Sequence, residues 1–389
     1  MERTIDECFF QIQNGANIKQ GDVDGGYPIT RIETTANDKF NRDRMGYAGI
    51  TDLSKYESYV LEDGDLLMSH INSVQYLGRT VLYEKQGGES IIHGMNLLRL
   101  KARRDIINPA YARYCFYGHP FRSQVANITK KSVNQASFAV KDLKQIKIDV
   151  PEVERQNQIV EILNKTNELI EKRQQELDTL DKLIKARFVE LFGDPVSDTK
   201  KWGQMPLKEM LESIRYGTST PPEFSDEGYA FIRATNIKNG RIVDNDMKYI
   251  PQQEADRLEK CKLMGGEIII VRSGANAGDT CVVTPEYIGQ YAGYDMILVL
   301  NESLNPVFFN TLINTSYMEK VVKPMTRRAA QPHLNSEQTQ SFPIICVPRE
   351  QQDEFETFVK QVDKSKVVVQ KALNEAQTLF NSLMQEYFE

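Results

Sequence analysis

Residues 152–195 read EVERQNQIVEILNKTNELIEKRQQELDTLDKLIKARFVELFGDP, a charged stretch whose apolar side chains recur at alternating intervals of four and three. This spacing is the heptad pattern of helices that pack side by side. The predicted seam has three polar interruptions and consists of Ile159, Leu163, Thr166, Ile170, Arg173, Leu177, Leu180, Ile184, Arg187 and Leu191. About 37 helical residues at ~1.5 Å each give a rod about 55 Å long, which needs a partner along its seam.

The C-terminal stretch REQQDEFETFVKQVDKSKVVVQKALNEAQTLFNSLMQEYFE (349–389) repeats this pattern with one charged interruption. Its predicted seam consists of Phe355, Val359, Val362, Lys366, Val369, Leu373, Ala376, Phe380, Leu383 and Tyr387. Each helix could simply cover its own domain. Two helices of matching length in one chain favour packing against each other.

The two halves of the chain repeat each other. A constant separation of 202 positions relates Gly15 to Gly217, Arg31 to Arg233, and Gly64 to Gly266. Further along, the segments NPAY (108–111) and NPVF (305–308) match at a separation of 197, and Gln135 matches Gln331 at 196. A constant register over about 50 residues is hard to obtain by chance, so we predict the order domain, helix, domain, helix.

Each half is predicted to be a mixed α+β domain. Short apolar runs bounded by turn residues predict strands, such as DLLMS (65–69) and EIIIVRS (267–273), and helical segments follow each Asn–Pro pair. The predicted organisation is a domain at 1–151, a long helix at 152–192, a second domain at 193–349 and a second long helix at 350–389.

The net charge of −6 at first argues against nucleic acid as a ligand, but the charge is unevenly distributed. The two predicted helices carry 17 acidic and 11 basic side chains, which accounts for the whole excess, and the two domains sum to zero. A strongly basic domain would have been a better sign of DNA binding. Composition therefore allows DNA as a ligand without requiring it.

Hydrophobic residues make up 40% of the chain and charged residues 26%, which is ordinary for a globular protein. No apolar run approaches the ~18 residues of a membrane span, and the N-terminal sequence lacks the apolar centre of a signal peptide. Five scattered cysteines fit a reducing cytoplasm better than a disulfide framework. The four histidines lie far apart and no Ser/His/Asp or Cys/His grouping recurs, so we predict neither a metal site nor a catalytic residue.

The segments NPAY and NPVF allow two interpretations. Adenine methyltransferases carry an Asn-Pro-Pro-Tyr/Phe loop in which the Asn side chain accepts hydrogen bonds from the target amino group, and such a loop would make the chain an enzyme. Alternatively, the Asn caps a helix and the Pro occupies its first turn. Both copies lack the second Pro, and no Phe-x-Gly-x-Gly cofactor loop precedes them, which favours the helix start.

The glycine-rich stretch Arg272–Gly278 (RSGANAG) also allows two interpretations. A phosphate loop would place glycine N–H groups at a helix start and usually includes Lys-Ser/Thr. Predicted strands flank the stretch on both sides, which favours a hairpin or a bulge. INSVQYLG occupies the same place in the first half, so this position could also hold a loop that reads DNA.

The segments ITKKSVNQASF (128–138) and MTRRAAQPHL (325–334) occupy matching positions before the last predicted strand of each half. Each places two adjacent cations three to five residues before a glutamine. Lys and Arg bind phosphates, Arg can donate two hydrogen bonds to guanine, and Gln, Asn and His read base edges. A solvated basic loop is the alternative. The candidate DNA contacts in these segments are Lys130, Lys131, Asn134, Gln135, Arg327, Arg328, Gln331 and His333.

Five further arginines are candidate DNA contacts. Arg31 and Arg233 occupy matching predicted strands and could equally be structural. Arg42 and Arg44 lie in the polar loop NDKFNRDRMGYAG (37–49), which could contact the DNA backbone or be only a loop. Arg272 begins the glycine-rich stretch.

The chain resembles the specificity subunits of type I restriction-modification systems. The order domain–helix–domain–helix, the helix starts PEVERQNQIVEIL (151–163) and PREQQDEFETFV (348–359), and the exit LFGDP (191–195) carry the resemblance over essentially all 389 residues. It implies that each half is a target recognition domain. It also implies that the long helices pack as an antiparallel coiled coil, with a pseudo-two-fold relation between the halves.

The resemblance further implies that the chain recognises DNA without catalysing a reaction. The expected ligand is double-stranded DNA with a split target, one half-site for each domain and a spacer set by the helices. The expected partners are two modification subunits, which bind S-adenosylmethionine and methylate adenine, and two restriction subunits, which use ATP and Mg. No cofactor and no membrane contact is expected for this chain, which we place in the cytoplasm.

Two alternatives stay open from the residues alone. A stand-alone adenine-specific DNA methyltransferase would have to bind S-adenosylmethionine, and the missing cofactor loop argues against it. A coiled-coil scaffold that binds only proteins would be insensitive to substitution of the basic segments.

Overall fold

The computed structural model describes residues 1–21, 25–132, 135–326 and 332–389. They form two compact units, one of Met1–Lys172 with Ala372–Glu389 and the other of Arg173–Lys371. Both units are mixed α+β, and each long helix contributes residues to both. The α+β class predicted from the sequence is confirmed.

The first unit is built from short strands around one four-stranded sheet. Its strands are β1 (Glu2–Thr4), β2 (Phe9–Asn14), β3 (Leu66–Ser69), β4 (Ile71–Asn72), β5 (Thr80–Leu82), β6 (Leu97–Ala102), β7 (Lys130–Lys131), β8 (Ala136–Ser137) and β9 (Lys147–Asp149). Its α-helices are α1 (Ile5–Cys8), α2 (Pro109–Cys115), α3 (His119–Ile128), α4 (Val140–Leu143) and the start of α5 (Val153–Phe192). Short 3-10 helices span Ile32–Asp38, Arg42–Arg44, Glu57–Tyr59 and Val74–Tyr76.

The central sheet of the first unit is antiparallel, with strand order β2-β6-β3-β5. Leu66 and Met68 of β3 face the main core together with α2, α3 and α5. Leu67 faces a second, smaller cluster on the opposite side. Because successive side chains of a strand alternate between faces, a sheet covered on both sides reads as a continuous apolar run in the sequence. A second sheet has the order β4-β8-β7, and β1 pairs with β9.

The second unit repeats this plan with additional strands. Its strands are β10 (Gln204–Pro206), β11 (Leu211–Tyr216), β12 (Tyr229–Ile232), β13 (Ile237–Lys238), β14 (Arg241–Ile242), β15 (Lys248–Ile250), β16 (Ile268–Ile270), β17 (Thr280–Val282), β18 (Tyr291–Ala292), β19 (Met296–Leu300) and β20 (Pro343–Ile345). Its α-helices are α6 (Gln252–Arg257), α7 (Pro306–Leu312), α8 (Lys323–Thr326), α9 (Ser336–Gln340) and the start of α10 (Arg349–Phe388). Ile313–Val322 is π-helical, and 3-10 helices span Leu207–Met210, Ala234–Asn236, Glu259–Cys261 and Pro285–Tyr287.

The tandem repeat predicted from the sequence is visible in the strand order. The sheet β11-β19-β16-β17 has the same antiparallel order as β2-β6-β3-β5. The register also corresponds, because Met68 pairs with Leu98 in the first unit and Ile270 pairs with Met296 in the second. A further sheet has the order β15-β12-β18 and includes one parallel pair, β12 with β18.

A close contact between two glycines explains one pair of the matched residues. A Cβ atom on Gly15 would lie 2.0 Å from the carbonyl oxygen of Gly94, and one on Gly217 would lie 1.6 Å from that of Gly293. No side chain fits at such distances, so both positions require glycine for steric reasons.

The two long helices pack in opposite directions within each unit. In the first unit, Ile159 and Leu163 near the start of α5 share a core with Phe388 at the end of α10. In the second unit, Phe188 near the end of α5 packs on Phe355 near the start of α10, with ring centroids 5.5 Å apart. The antiparallel pairing that the resemblance implied is therefore present in both units.

A buried glutamine ties the start of each long helix to its own domain. The Gln156 side chain donates to the carbonyls of Ile106 at 2.8 Å and Pro151 at 2.7 Å, and it accepts from the Asn108 N–H at 2.8 Å. Gln352 forms the same set of bonds in the second unit. Among the described residues, no helix has both the length and the apolar character required for a membrane span.

Candidate nucleic-acid interface

A hairpin loop leaves the central sheet at the same place in both units. In the first unit, residues 70–77 connect Ser69 to Gly78, whose N–H donates to the Ser69 carbonyl at 2.8 Å. In the second unit, residues 272–277 connect Val271 to Gly278 through the same hydrogen bond, also at 2.8 Å. The hairpin interpretation of the glycine-rich stretch is confirmed, since β16 and β17 pair antiparallel on either side of it.

The segment that returns to the last strand lies beside this hairpin loop in both units. In the second unit, the Leu334 N–H donates to the Arg272 carbonyl at 2.7 Å, and the Gly274 N–H donates to Pro332 at 3.1 Å. In the first unit, β4 of the loop pairs with β8, which pairs with β7. We call these paired segments the loop face: residues 70–77 with 130–132 and 135–138 in the first unit, and 272–277 with 332–334 in the second. The glycine-rich stretch and the end of the basic segment 325–334, which are far apart in the sequence, thus lie together.

Lys130 and Lys131 lie on the loop face of the first unit. They form β7, the outer strand of the sheet β4-β8-β7, and both are exposed. Gln135 is exposed too, and its carbonyl accepts from both the N–H and the Oγ of Ser132 at 2.7 Å. The two predicted cations and this glutamine are therefore all accessible to solvent.

Arg272 lies on the loop face of the second unit, and its guanidinium stacks on an aromatic ring. The guanidinium carbon is 4.7 Å from the ring centroid of Tyr216, the last residue of β11. The Tyr216 hydroxyl accepts from the Ser336 N–H at 2.9 Å, which fixes the ring against α9. His333 is half-buried next to this site and bridges to Ser273 across the loop face.

Burial changes the protonation of two groups at these loops. Burial raises the pKa of Asp295, whose carboxylate accepts from the Arg272 N–H at 3.2 Å, to about 6. Burial lowers the pKa of His70, the first residue of the other hairpin loop, to about 4. His70 is therefore neutral at pH 7, whereas Arg272 at the matching position carries a positive charge.

Arg31 and Arg233 occupy equivalent places, but both side chains are engaged within the protein. Each precedes a 3-10 turn that is closed by a side chain accepting from its own backbone N–H. The Arg31 Nε donates to Gln20 at 2.5 Å, and the Arg233 guanidinium pairs with Asp246 at 3.0 Å. A contact of either side chain with DNA stays a prediction.

Arg42 and Arg44 differ although they are two residues apart. The Arg42 guanidinium donates to both carboxylate oxygens of Glu89, at 3.0 and 2.7 Å, and lies 5.2 Å from the ring centroid of Phe40. This hydrogen bond lowers the pKa of Glu89 to about 2. Arg44 is exposed. Arg42 thus has a structural partner, and Arg44 remains accessible for the predicted DNA contact.

Four of the predicted contacts, Asn134, Arg327, Arg328 and Gln331, lie outside the described residues.

Two aromatic residues at these loops, Tyr216 and Tyr76, were not predicted from the sequence. Tyr216 carries no signal beyond its place before a matched glycine. Tyr76 lies in the hairpin loop of the first unit, where the guanidinium carbon of Arg79 is 4.6 Å from its ring centroid. Arg79 also lies 3.7 Å from the Asp38 carboxylate. Each hairpin loop therefore has a nearby arginine on a tyrosine ring, but at different positions.

The two Asn–Pro segments are helix starts, as the sequence favoured. The Asn108 Oδ1 accepts from the Ala110 N–H at 2.8 Å, and the Asn305 Oδ1 accepts from the Val307 N–H at 2.8 Å. Their amide nitrogens donate to side chains of the long helices. Both asparagines therefore serve as helix caps instead of facing an open base-binding pocket. Among the described residues, no cluster of three or more His, Cys, Asp and Glu forms a metal site.

The repeated frame and the loop faces define two tandem domains of one kind, and comparison with known proteins identifies that kind. The model of the type I restriction modification DNA specificity domain matches residues 2–180 and again residues 199–377. This chain therefore belongs to that family and carries two copies of its DNA specificity domain. The two matches start 197 positions apart (199 − 2), within the range of 196 to 202 positions found for the repeat in the sequence.

Individual relatives agree with this assignment. The chain is 27% identical over 377 residues to the "Putative type I restriction enzyme MjaX specificity subunit" of Methanocaldococcus jannaschii, covering 93% of this chain and 86% of the relative. A crystal structure of the S subunit of a type I restriction-modification system from M. genitalium matches 100% of this chain and 96% of its own, with a TM-score of 0.60 at 15% identity. A second structure, from work on the assembly of the type I system, matches 100% and 97% with a TM-score of 0.54 at 15% identity. The structural likeness concerns the fold.

Proposed function

We propose that this chain reads a split double-stranded DNA target, with one half-site bound by the loop face of each unit. The observation that carries the proposal is the repeated hairpin frame, which is closed by the same hydrogen bond in both units but holds different side chains. A repeated frame with different loops suits a target whose two halves have different sequences. Membership of the DNA specificity family supports DNA as the ligand.

The long helices are proposed to set the distance between the half-sites. Each helix is continuous, over Val153–Phe192 and Arg349–Phe388, and each contributes residues to both units. One heptad adds ~10 Å to a helix, which corresponds to about three base pairs of B-DNA. Inserting one heptad into both helices should therefore lengthen the unread spacer by about three base pairs, and an unchanged spacer would contradict this part of the proposal.

We further propose that the chain catalyses no reaction itself. Modification subunits would bring S-adenosylmethionine, and restriction subunits would bring ATP and Mg. The chain carries two copies of one domain, which supports two copies of each partner. The helix-capping role of Asn108 and Asn305 supports the absence of a methyltransferase site, because both side chains are already engaged. A cytoplasmic location follows from this partnership with DNA and nucleotide-using subunits.

The modest charge of the domains is compatible with this function. DNA affinity depends on the number of phosphates neutralised by the whole complex, so partner subunits can supply part of the positive charge. On the chain itself, Lys130 and Lys131 are the exposed cations of the first loop face. Replacing both by Ala should weaken DNA binding by the assembled complex and reduce the salt slope by about 2.

A matched control for this experiment is the pair Lys55→Ala and Lys85→Ala, which removes two exposed lysines of the same unit outside the loop face. The control should leave the salt slope unchanged. If the two pairs of substitutions behave alike, Lys130 and Lys131 have no special role.

The decisive experiment maps methylated bases in two DNA samples. One is treated with the modification subunits together with this chain, and the other with the modification subunits alone. We expect one split motif whose adenine methylation depends on the chain. If no motif loses its methylation when the chain is omitted, a scaffold that binds only proteins is favoured. Saturable binding of S-adenosylmethionine to the isolated chain would favour a stand-alone methyltransferase.

A further inference from the structure

The backbone of Arg272 is held at both ends before any ligand binds. Its N–H donates to the buried Asp295 carboxylate at 3.2 Å, and its carbonyl accepts from the Leu334 N–H at 2.7 Å. These bonds connect the first residue of the hairpin loop to the central sheet and to the return segment. The Cα of Arg272 is thus fixed on the loop face, although it belongs to a loop.

The side chain of Arg272 is positioned as well. Its guanidinium lies over Tyr216, whose ring is anchored by β11 at one end and by the Ser336 N–H at the other. A tyrosine ring stabilises a guanidinium that stacks on its face. Because the side-chain conformation of Arg272 is already restricted before binding, little side-chain entropy is lost when the guanidinium binds a ligand.

The guanidinium of Arg272 has no carboxylate partner among the described residues within 4.0 Å, unlike Arg42, which pairs with Glu89 at 2.7 Å, and Arg233, which pairs with Asp246 at 3.0 Å. A guanidinium whose central carbon lies over a ring, and which has no carboxylate partner, can present its N–H edge to a ligand. This edge fits two parallel acceptors, and O6 and N7 of guanine in the major groove provide such a pair.

The first unit has no equivalent group at this position. His70, which lies 202 positions before Arg272, is 6% exposed, and its ring centroid lies 6.3 Å from that of Phe138. Asn14 takes the place of Tyr216 at the end of β2. The two units therefore differ at this equivalent position, because Arg272 has a longer side chain than His70 and carries a positive charge.

We propose that Arg272 reads a guanine by two hydrogen bonds in the half-site bound by the second unit, and that Tyr216 acts as the positioning residue. This inference rests on the proposed function of the loop face and specifies one base class and one half-site. The first unit has His70 in place of Arg272, so we expect no requirement for guanine from this position in its half-site.

The test maps methylated sites in DNA modified by the assembled complex containing wild-type, Arg272→Lys, Tyr216→Phe or Tyr216→Leu chains. Lysine keeps the charge but loses the two parallel donors. We therefore expect Arg272→Lys to relax the requirement for guanine at one position of one half-site by about tenfold to a hundredfold, with the other half-site unchanged.

Tyr216 should act through Arg272. Tyr216→Leu removes the ring under the guanidinium and should relax the same position as Arg272→Lys. Tyr216→Phe keeps the ring but loses the hydroxyl that accepts from the Ser336 N–H, so it should relax this position less than Tyr216→Leu. Arg257→Lys, an exposed arginine of α6 paired with Glu254 in the same unit, is the matched control and should leave the motif unchanged. The urea midpoint of each variant reports its folding independently of DNA.

The outcomes separate this inference from the proposed function. A wild-type complex without any split motif would overturn both. A split wild-type motif that Arg272→Lys leaves unchanged would overturn the guanine contact alone. Uniformly weaker methylation at every site, with an unchanged motif, would assign Arg272 to a phosphate and would also overturn the guanine contact.

Discussion

Within the second unit, the Lys366 ammonium of α10 contacts the Asp181 carboxylate of α5. Lys366 occupies a seam position of α10 between apolar seam residues. The Lys366 side chain is only 5% exposed, and Val362 and Val369 occupy the neighbouring seam positions. The charged interruption in the heptad pattern is therefore a buried charge with a partner on the other helix. Moving α5 by one heptad would place Gln174 or Phe188 opposite this ammonium, so the pair favours one register.

We expect Lys366→Met to leave the free energy of unfolding unchanged or raised, because an apolar side chain replaces a desolvated charge. Asp181→Asn should lower it by about 1 kcal/mol, a reduced figure because the Asp181 side chain is 44% exposed. Urea denaturation of the chain measures both. Lys360→Met, at an exposed lysine paired with Glu356, is the control and should be neutral. A larger loss from Lys366→Met than from Asp181→Asn would mean that the ion pair is net stabilising.

Arg42→Ala should destabilise the first unit by about 2 kcal/mol, because it leaves the half-buried Glu89 carboxylate without its guanidinium. Arg44→Ala, two residues away and exposed, should change stability by less than ~0.5 kcal/mol. Thermal or urea unfolding separates the two. If Arg42→Ala is as stable as the wild type but reduces the salt slope of DNA binding, Arg42 contacts DNA and has no structural role.

Gln352→Ala should lower the free energy of unfolding by about 2–4 kcal/mol. The Gln352 side chain donates to the carbonyls of Ser303 at 3.0 Å and Val347 at 2.7 Å, and it accepts from the Asn305 N–H at 2.8 Å. The residue is 1% exposed, so its removal leaves buried backbone groups without partners. The adjacent exposed Gln351→Ala is the control.

Gln156→Ala tests whether the same bonds matter equally in the first unit, where this residue is also fully buried. The repeat predicts a loss of similar size in both units. A neutral Gln156→Ala would show that the first helix start is held by other contacts, such as those of its apolar seam.

Asp295 gives a pH dependence with a definite sign. Burial raises its native pKa to about 6, above the ordinary value of 3.8. Between about pH 4 and pH 6, the native state therefore binds a proton that the unfolded state has released. The stability contributed by this proton is fully present below pH 4, falls as the pH rises through this window and is lost above pH 6. Asp295→Asn should flatten this part of the stability profile and raise stability at pH 7 by about 1–3 kcal/mol.

Urea midpoints measured from pH 4 to pH 8 check this prediction, with exposed Asp226→Asn as the control. Lower stability of Asp295→Asn at pH 7 would mean that the hydrogen bond from the Arg272 N–H to the ionised carboxylate outweighs its burial.

The long helices and the repeat could be predicted from the sequence because their signals are periodic. Each helix spans 40 residues, so a heptad pattern has many turns in which to establish itself. The match between Gly15 and Gly217 has a steric cause, since neither position has room for a Cβ. Strand order could not be predicted in the same way, because β2 pairs with β6, more than 80 positions along the chain, and no local pattern encodes this choice.

The role of single cations was the least predictable feature. Arg42 and Arg44 share one polar loop in the sequence, but only the fold brings Glu89 next to the first of them. Lys39 and Arg241, which are 202 positions apart, both pair with carboxylates of the long helices within their own units, Glu171 and Asp363. A cation on a loop can face solvent or a partner from a distant part of the chain, and the sequence does not distinguish these cases. The boundaries assigned to the domains from sequence stay a prediction.

The hydrogen bond between Gly278 and Val271, like that between Gly78 and Ser69, closes a loop without constraining what lies inside it. One loop has six residues and the other has eight, yet the flanking strands keep the same order. Under the proposed function, a change of a few codons inside either loop gives the chain a different DNA half-site while the frame persists. Selection by invading DNA can then act on a very short stretch of the gene, and duplication of one ancestral half is enough to create two independently evolving readers.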